Sequence, residues 1–393
     1  MAGSVIVTGA RSPIGKLSGA LAGFTAMELG GFAIKAALER AGLTPEEVDY
    51  VLMGQVIGAG QGQITARQAA VNAGIPMTVA STTVNKVCLS GLNTIYLADL
   101  MIQSGEADIV VAGGMESMTN APHILPGSRA GFRYGDASLQ DSIIRDGLWC
   151  AFDACLMGAG TEKYSASRNI SRERQDDLAA KSHERAAAAI KDGRFNDEVI
   201  AVEIPQRKGD PLLFDTDEGV RPGTTVESLG ALKPAFDKAG NITAGNASQL
   251  SDGASAVIVA SKAAAERLAV SPLGEVLSYG QVAGPDPSLL SQPSRAIQAA
   301  LAKAGMSVAD VDLFEINEAF AAVGIASMDD LGITDDVVNV NGGAIALGHP
   351  IGMSGNRLAL TLLHELRRRG GGVGAAALCG GGGQGDALLL KTL

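Results

Sequence analysis

Residues 90–114, SGLNTIYLADLMIQSGEADIVVAGG, are echoed by residues 354–381, SGNRLALTLLHELRRRGGGVGAAALCGG. Each stretch opens on Ser-Gly, continues as an apolar helix and ends in a small-residue strand that runs into Gly-Gly. A second pair stands upstream in the same order. Residues 36–50, AALERAGLTPEEVDY, and 299–313, AALAKAGMSVADVDL, are identical at seven of fifteen positions. Both read as a helix end, a glycine stop, a short acidic turn and a strand. The two offsets, 264 and 263 residues, differ by one. Two matches in one order at one spacing mark a duplicated α/β unit. The halves lie near 1–119 and 271–393. Residues 120–248 have no counterpart and carry more charge; Ser171-Arg172-Glu173-Arg174 reads there as a helix N-cap and acidic first turn. This middle stretch is expected to be an inserted lobe. Residues 249–270 read as a strand and helix returning to the first half.

A chain of 393 residues is long enough for two or three domains, and 46% apolar with 19% charged residues suits a packed globular protein. The net charge of −11 argues against a nucleic-acid partner, which needs a basic face. No apolar run reaches the roughly 18 residues of a membrane span. The start Met1-Ala2-Gly3-Ser4 enters a strand-like run at once, and the end Leu390-Lys391-Thr392-Leu393 resembles no retention or peroxisomal signal. A cytoplasmic location is the expectation. The cysteines at 88, 150, 155 and 379 form no C-x-x-C pair, and the four histidines are scattered, so neither a disulfide framework nor a metal site is expected.

Chemistry concentrates in four places. Cys88, in Asn85-Lys86-Val87-Cys88-Leu89-Ser90-Gly91, precedes a helix, where the dipole favours a thiolate; a small buried core cysteine is the alternative. His349 sits in a glycine-rich run from Asn339 to Gly352, and the 264-residue offset places it opposite Asn85, three residues before Cys88. Cys379 precedes Gly380-Gly381-Gly382-Gly383-Gln384-Gly385. The G-x-G-x-x-G spacing there is no dinucleotide fingerprint, because no room remains for the helix and second strand it requires. The run instead offers backbone N–H groups beside a thiol, as an oxyanion site needs. Asn317-Glu318 ends a strand and reads either as a water-positioning pair or as a helix cap.

Taken together these segments resemble the thiolase family. The carriers are NKVCLSG at 85–91, GGMESM at 113–118, KPAFDKAGNITAGNASQLSDGA at 233–254, NEAFAA at 317–322, NVNGGAIALGHPIGMSG at 339–355 and CGGGGQGDA at 379–387. The resemblance spans the chain and looks strongest toward acetyl-CoA C-acetyltransferases. It implies two βαβαβαββ halves stacked as αβαβα layers, with an inserted loop domain that holds coenzyme A. The halves would be 1–119 plus 249–270 and 271–393, with the loop domain at 120–248. It implies a ping-pong Claisen condensation of two acyl-CoA thioesters, or the reverse thiolysis. Cys88 would be the nucleophile and His349 its base, with Cys379 taking the α-proton of a second acetyl-CoA. His349 and a water on Asn317 would stabilise the enolate; the N–H groups of Cys88 and Gly381 would hold the acyl oxygen. Leu148, Met157, Arg221, Ser228, Phe236, Ala244, Ser248, Leu250, Ala319 and Phe320 match CoA-contacting positions. No cofactor is implied beyond the CoA substrates. The segment 120–140 resembles the family's tetramer-forming loop, so a homotetramer is expected.

Two departures bear on chain length. Leu156 stands where many short-chain members carry His, and Pro287-Ser288-Leu289-Leu290-Ser291-Gln292-Pro293 differs from their pattern. A longer-chain 3-ketoacyl-CoA thiolase is therefore the alternative. A decarboxylating ketoacyl synthase would pair the cysteine with two histidines, whereas Cys379 holds the second position here. A non-catalytic, lipid-binding relative would be expected to lose a member of the Cys88, Asn317, His349 and Cys379 set.

Overall fold

A computed structural model describes residues 3–393. The first half runs β1 (Ser4–Arg11), α1 (Ala26–Ala41), β2 (Tyr50–Gly54), α2 (Thr65–Asn72), β3 (Ala80–Val84), α3 (Ser90–Ser104) and β4 (Ile109–Ser117). The middle stretch contributes α4 (Met157–Ser165) and α5 (Arg172–Lys191), and β5 (Ser251–Ser261) then completes the first sheet. The second half runs β6 (Gly274–Ala283), α6 (Gln292–Ala304), β7 (Leu313–Ile316), α7 (Ala321–Leu331), α8 (Ser354–Arg368), β8 (Val373–Gly380) and β9 (Gln384–Thr392).

The strand order is β3-β2-β4-β5-β1 in the first half and β7-β8-β9-β6 in the second. In each half the last strand, β5 or β9, lies antiparallel between two neighbours that are parallel to each other. The third strand of the second half is reduced to Val338, which bridges Phe314 in parallel. Beside it, Asn339 seals the edge of β7. Its amide nitrogen donates to Ile316 O at 2.8 Å and its Oδ1 accepts from Ile316 N at 2.9 Å. Hydrogen bonds between β1 and β6, at Val5–Glu275 and Ile6–Gly274, join the two sheets at one corner.

The repeated helix ends take the same form in both halves. α1 stops at Gly42 and α6 at Gly305, with φ of 65° and 68°, the left-handed conformation glycine accepts without strain. Capping boxes follow in each half, Thr44 with Glu47 and Ser307 with Asp310, and feed β2 and β7.

The core has three apolar layers. α1 and α2 cover one sheet from outside, α6 and α7 cover the other, and α3 and α8 lie between the sheets. Being central, α8 is buried on nearly every side. It carries Arg357 inside, which is held by Glu315 at 2.9 Å. α3 and α8 meet at their N-termini through glycine. A Cβ on Gly91 would stand 2.8 Å from Gly352 O and 2.9 Å from Asn356 N. A Cβ on Gly355, its counterpart in the duplication, would stand 2.8 Å from Leu92 Cβ.

The lobe is anchored by buried polar groups. Arg11 of β1 pairs with Glu198 and Asp217, each at 2.7 Å. Ser171 caps α5 by accepting from Arg174 N. Ser182 of α5 donates to Glu318 at 2.7 Å, and Glu318 also accepts from Asn339 Nδ2.

Gly91→Ala is expected to lower stability by roughly 1–3 kcal/mol, because the methyl meets backbone that cannot rotate away. Urea unfolding checks this; an unchanged midpoint would show that the two helix ends do not meet there.

Candidate active site

The Ser-Gly motif that starts α3 also fixes the turn before it. Ser90 Oγ accepts from Lys86 N at 2.9 Å and donates to Val87 O at 2.6 Å. Asn85 Oδ1 accepts from Val87 N, while Asn85 Nδ2 donates to Val56 O. Lys86 is anchored on buried Asp386 at 2.8 Å. Val87 is held left-handed, at φ 51°, so Cys88 is turned onto the apolar cluster of Val56, Ile57, Met118, Ile143 and Ile351.

The backbone N–H groups of Cys88 and Gly381 lie near enough to the Cys88 sulfur to lower its thiol pKa. These donors favour the thiolate, but burial outweighs them and pushes the thiol up to about 12, with the charge of Glu116 adding to the rise. The pull toward thiolate expected at the helix start is thus opposed: Cys88 is half-buried, lies before the Leu89 N-cap and packs in an apolar surround that favours the neutral thiol.

A neutral thiol needs a base, and His349 is in a state to act as one. Ser354, the duplicate of Ser90, donates to Pro350 O at 2.9 Å, so its oxygen accepts from His349 Nδ1 at 2.6 Å. That puts the ring proton on Nδ1 and leaves a lone pair on Nε2. Asn317 Nδ2 donates to this Nε2 at 3.3 Å. Burial, with the nearby charge of Arg357, lowers the imidazole to about 4, so it is uncharged at neutral pH. Asn317 is not a helix cap: α7 starts at Ala321, after Phe320. Its buried Oδ1 has no protein partner and can accept from water.

Cys379 ends β8, fully buried. Burial raises its thiol strongly, and the neighbouring Cys88 raises it further. The hairpin that follows turns through Gly382 and Gly383, at φ 81° and 71°. A Cβ on Gly380 would strike Leu89, and one on Gly381 would lie 3.4 Å from Val87. The glycine run thus rests directly on the nucleophile's turn.

A cavity of about 490 Å³ reaches His349 and Ile351 from the inserted lobe. Leu148, Met157, Phe236, Ala244, Ser248, Leu250, Ala319 and Phe320 line it, along with Leu156. Ser248 donates to Ala319 O, and Phe236 meets Phe320 edge-on with centroids 6.2 Å apart. Arg221 and Ser228 line a smaller, more polar hollow of about 180 Å³ beside it. The two spaces share Ala244 and Gln249. His183 belongs to the second, accepting from Arg221 N at 3.1 Å.

Sequence reasoning missed Ser354, Gln249, His183 and Glu116. Ser354 was open to discovery through its duplicate Ser90. Glu116 had a weaker signal, a carboxylate inside the apolar run Ile109-Val110-Val111-Ala112-Gly113-Gly114-Met115. It is fully buried and accepts from Val56 N and Gly352 N at 3.0 Å and from Ile57 N at 3.2 Å. One carboxylate thus ties the His349 loop of the second half to the first. The described residues contain no cluster of metal-ligating side chains.

Comparison with known proteins agrees with this geometry. Residues 4–263 match the model of the thiolase N-terminal domain and residues 270–392 that of the thiolase C-terminal domain. A probable acetyl-CoA acetyltransferase of Mycolicibacterium smegmatis is 57% identical over 98% of this chain and 100% of its own length. Acetyl-CoA acetyltransferases of Cupriavidus necator and Pseudomonas aeruginosa are 53% and 51% identical, each over 98% of both chains.

Burial raises Glu116 from 4.5 to about 7. Within that window the folded protein keeps a proton that the unfolded chain has released, so stability falls as pH rises through it. Glu116→Gln has no such group. Across the window the wild type is expected to lose on the order of 3 kcal/mol relative to the variant. Urea unfolding of both proteins from pH 4 to 8 checks this; parallel pH dependences would contradict it.

Proposed function

The chain belongs to the thiolase family, and on that premise we propose that it is an acetyl-CoA C-acetyltransferase working through an acetyl-Cys88 intermediate. The observation that carries this reading is an apolar cavity that ends at His349 and Ile351, where Ile351 belongs to the cluster that packs Cys88 and where Cys88 in turn neighbours Cys379. The acetyl-CoA acetyltransferase names of relatives at 50–57% identity support acetyl-CoA as substrate over longer acyl thioesters. Leu156 in the cavity wall does not by itself favour the longer-chain alternative.

In the first half-reaction an acyl-CoA lies in the cavity with its thioester at Cys88. The polar hollow around Arg221 and Ser228 suits the nucleotide end, and the exposed guanidinium offsets phosphate charge. His349 Nε2 takes the thiol proton as sulfur attacks the carbonyl. The oxygen that becomes negative is held by the N–H groups of Cys88 and Gly381. The imidazolium then protonates the leaving CoA sulfur, leaving acetyl-Cys88.

In the second half-reaction Cys379 takes an α-proton from a second acetyl-CoA. Negative charge on one thiol opposes charge on the other. Acylation makes Cys88 unable to carry charge, so Cys379 gives its proton to His349 Nε2 and ionises against burial alone. The Nε2–H so formed and a water on Asn317 would stabilise the enolate oxygen. The carbanion attacks acetyl-Cys88 and expels its thiolate, which takes the proton back from His349, while acetoacetyl-CoA leaves and the α-proton stays on Cys379 as its thiol. Thiolysis is the reverse.

We infer a homotetramer in the cytoplasm. Leu125, Phe132, Tyr134 and Leu139 of segment 120–140 are all exposed, an apolar surface that a second pair of subunits would cover. No helix among the described residues is long and apolar enough to cross a membrane. Light scattering at micromolar concentration is expected to give four subunits; a monomer refutes assembly, and a dimer refutes the tetramer alone.

Cys88→Ala is expected to take no acetyl label from acetyl-CoA, whereas Cys379→Ser should label at Cys88 yet fail to exchange the α-protons of acetyl-CoA with deuterated solvent. A serine hydroxyl is too weak an acid to shuttle that proton near neutral pH. Intact-mass analysis and deuterium exchange give both rates. Label on Cys88→Ala at the wild-type level would overturn the nucleophile, and wild-type exchange by Cys379→Ser would overturn the base.

A further inference from the structure

The mechanism uses two of the four cysteines. The other two face each other. Trp149–Cys150 and Cys155–Leu156 form a short antiparallel ladder, with Cys150 paired to Cys155 and Trp149 to Leu156. Directly opposed residues in such a ladder project to the same face, with Cα atoms about 4.5 or 5.5 Å apart. Both spacings fall within the roughly 4.4–6.8 Å that a disulfide spans. Cys150 Sγ accepts from Asp153 N at 3.4 Å, within the four-residue loop the ladder closes. Cys155 Sγ lies 3.7 Å from where a Cβ on Gly160 would stand, in the first turn of α4. Both thiols are free; Cys150 is buried and Cys155 half-buried, so an oxidant reaches the second one first.

The geometry points to Cys150 and Cys155 as a reversible dithiol–disulfide site, separate from the catalytic thiols and built into the wall of the acyl-CoA cavity. The hairpin connects Leu148 to Leu156 and Met157, which line that cavity. Its tip residue Phe152 would stand 3.1 Å from a Cβ on Gly382, in the turn that follows Cys379. The oxidant that suits the site is a low-molecular-weight disulfide. The Cys155 thiolate, its proton given to water, attacks one sulfur of the small disulfide and expels a small thiolate, which takes up a proton. The Cys150 thiolate then attacks Cys155 Sγ and expels the second small thiol. Two protein thiols are oxidised to one disulfide, and one small disulfide is reduced to two thiols. Partial burial, and after it the charge of Asp153, raise the Cys155 thiol. That slows the first step and leaves the register that drives the second unchanged.

The test treats the full-length protein with oxidised glutathione, blocks the remaining thiols by alkylation and digests with trypsin. Residues 146–163 form one tryptic peptide, which contains both cysteines and no other. The expected result is this peptide two hydrogens lighter, with dithiothreitol restoring two alkylatable thiols. In Cys150→Ser the resolving thiol is gone, and the glutathionyl adduct should persist on Cys155. Wild-type protein that accumulates the same adduct, or whose peptide keeps both thiols under conditions that modify Cys155 in Cys150→Ser, overturns the proposal. The readout is a mass, so it stands or falls apart from the acetyltransferase reading.

Discussion

Two helices start against each other with glycine on both sides, and the rest of the molecule is arranged around that contact. Gly91 and Gly355 bring the N-termini of α3 and α8 close enough for backbone to touch backbone. The turn before α3 holds Cys88, and the turn before α8 holds His349. Any side chain at either glycine separates the two turns. The serines beside the glycines then do matching work. Ser90 fixes the nucleophile's turn, and Ser354 fixes the tautomer of the imidazole. A duplicated structural motif has been divided between two chemical tasks.

Burial dictates how that chemistry starts. In a solvated site a cysteine at a helix start would be drawn toward the thiolate. Here the surrounding apolar residues keep both Cys88 and His349 uncharged. No ion pair between Cys88 and His349 then has to be maintained in the resting protein. Charge forms only as substrate arrives, and the donors that stabilise it are backbone N–H groups already in place. Such fixed dipoles need little reorganisation when charge develops.

The duplication, its glycine stops and its acidic turns were legible in the sequence because they are local. Each depends on a few adjacent residues whose conformational preferences act in place. Cys88, His349 and Cys379 stood out as candidates because they lie at a helix start or in glycine-rich runs, whereas the role of Asn317 rested on the family resemblance. The ionisation of Cys88 was not legible, since its apolar surround is assembled from Val56, Met118, Ile143 and Ile351, far apart in the chain. Glu116 escaped for the same reason. Its three partners are backbone N–H groups on two loops, and a main-chain donor leaves no mark in an amino-acid sequence. The CoA positions were read as one set, yet they divide between two spaces, because Arg221 and Ser228 stand behind the wall formed by Ala244 and Gln249.

The two halves finish their sheets unequally. β3 leaves the free side of the first sheet as an ordinary five-residue strand, with side chains that are exposed or half-buried. At the other end the side-chain amide of Asn339 occupies the backbone of Ile316, and Val338 supplies a single bridge. Unpaired strand edges recruit other chains, and a protein with two such edges can add copies indefinitely. With one edge capped by an amide, strand-to-strand addition is confined to the other. Two identical edges that pair about a twofold axis consume each other and leave none for a third copy. The amide of a single asparagine thus closes a buried edge in the half of the duplication whose third strand is reduced to one bridge.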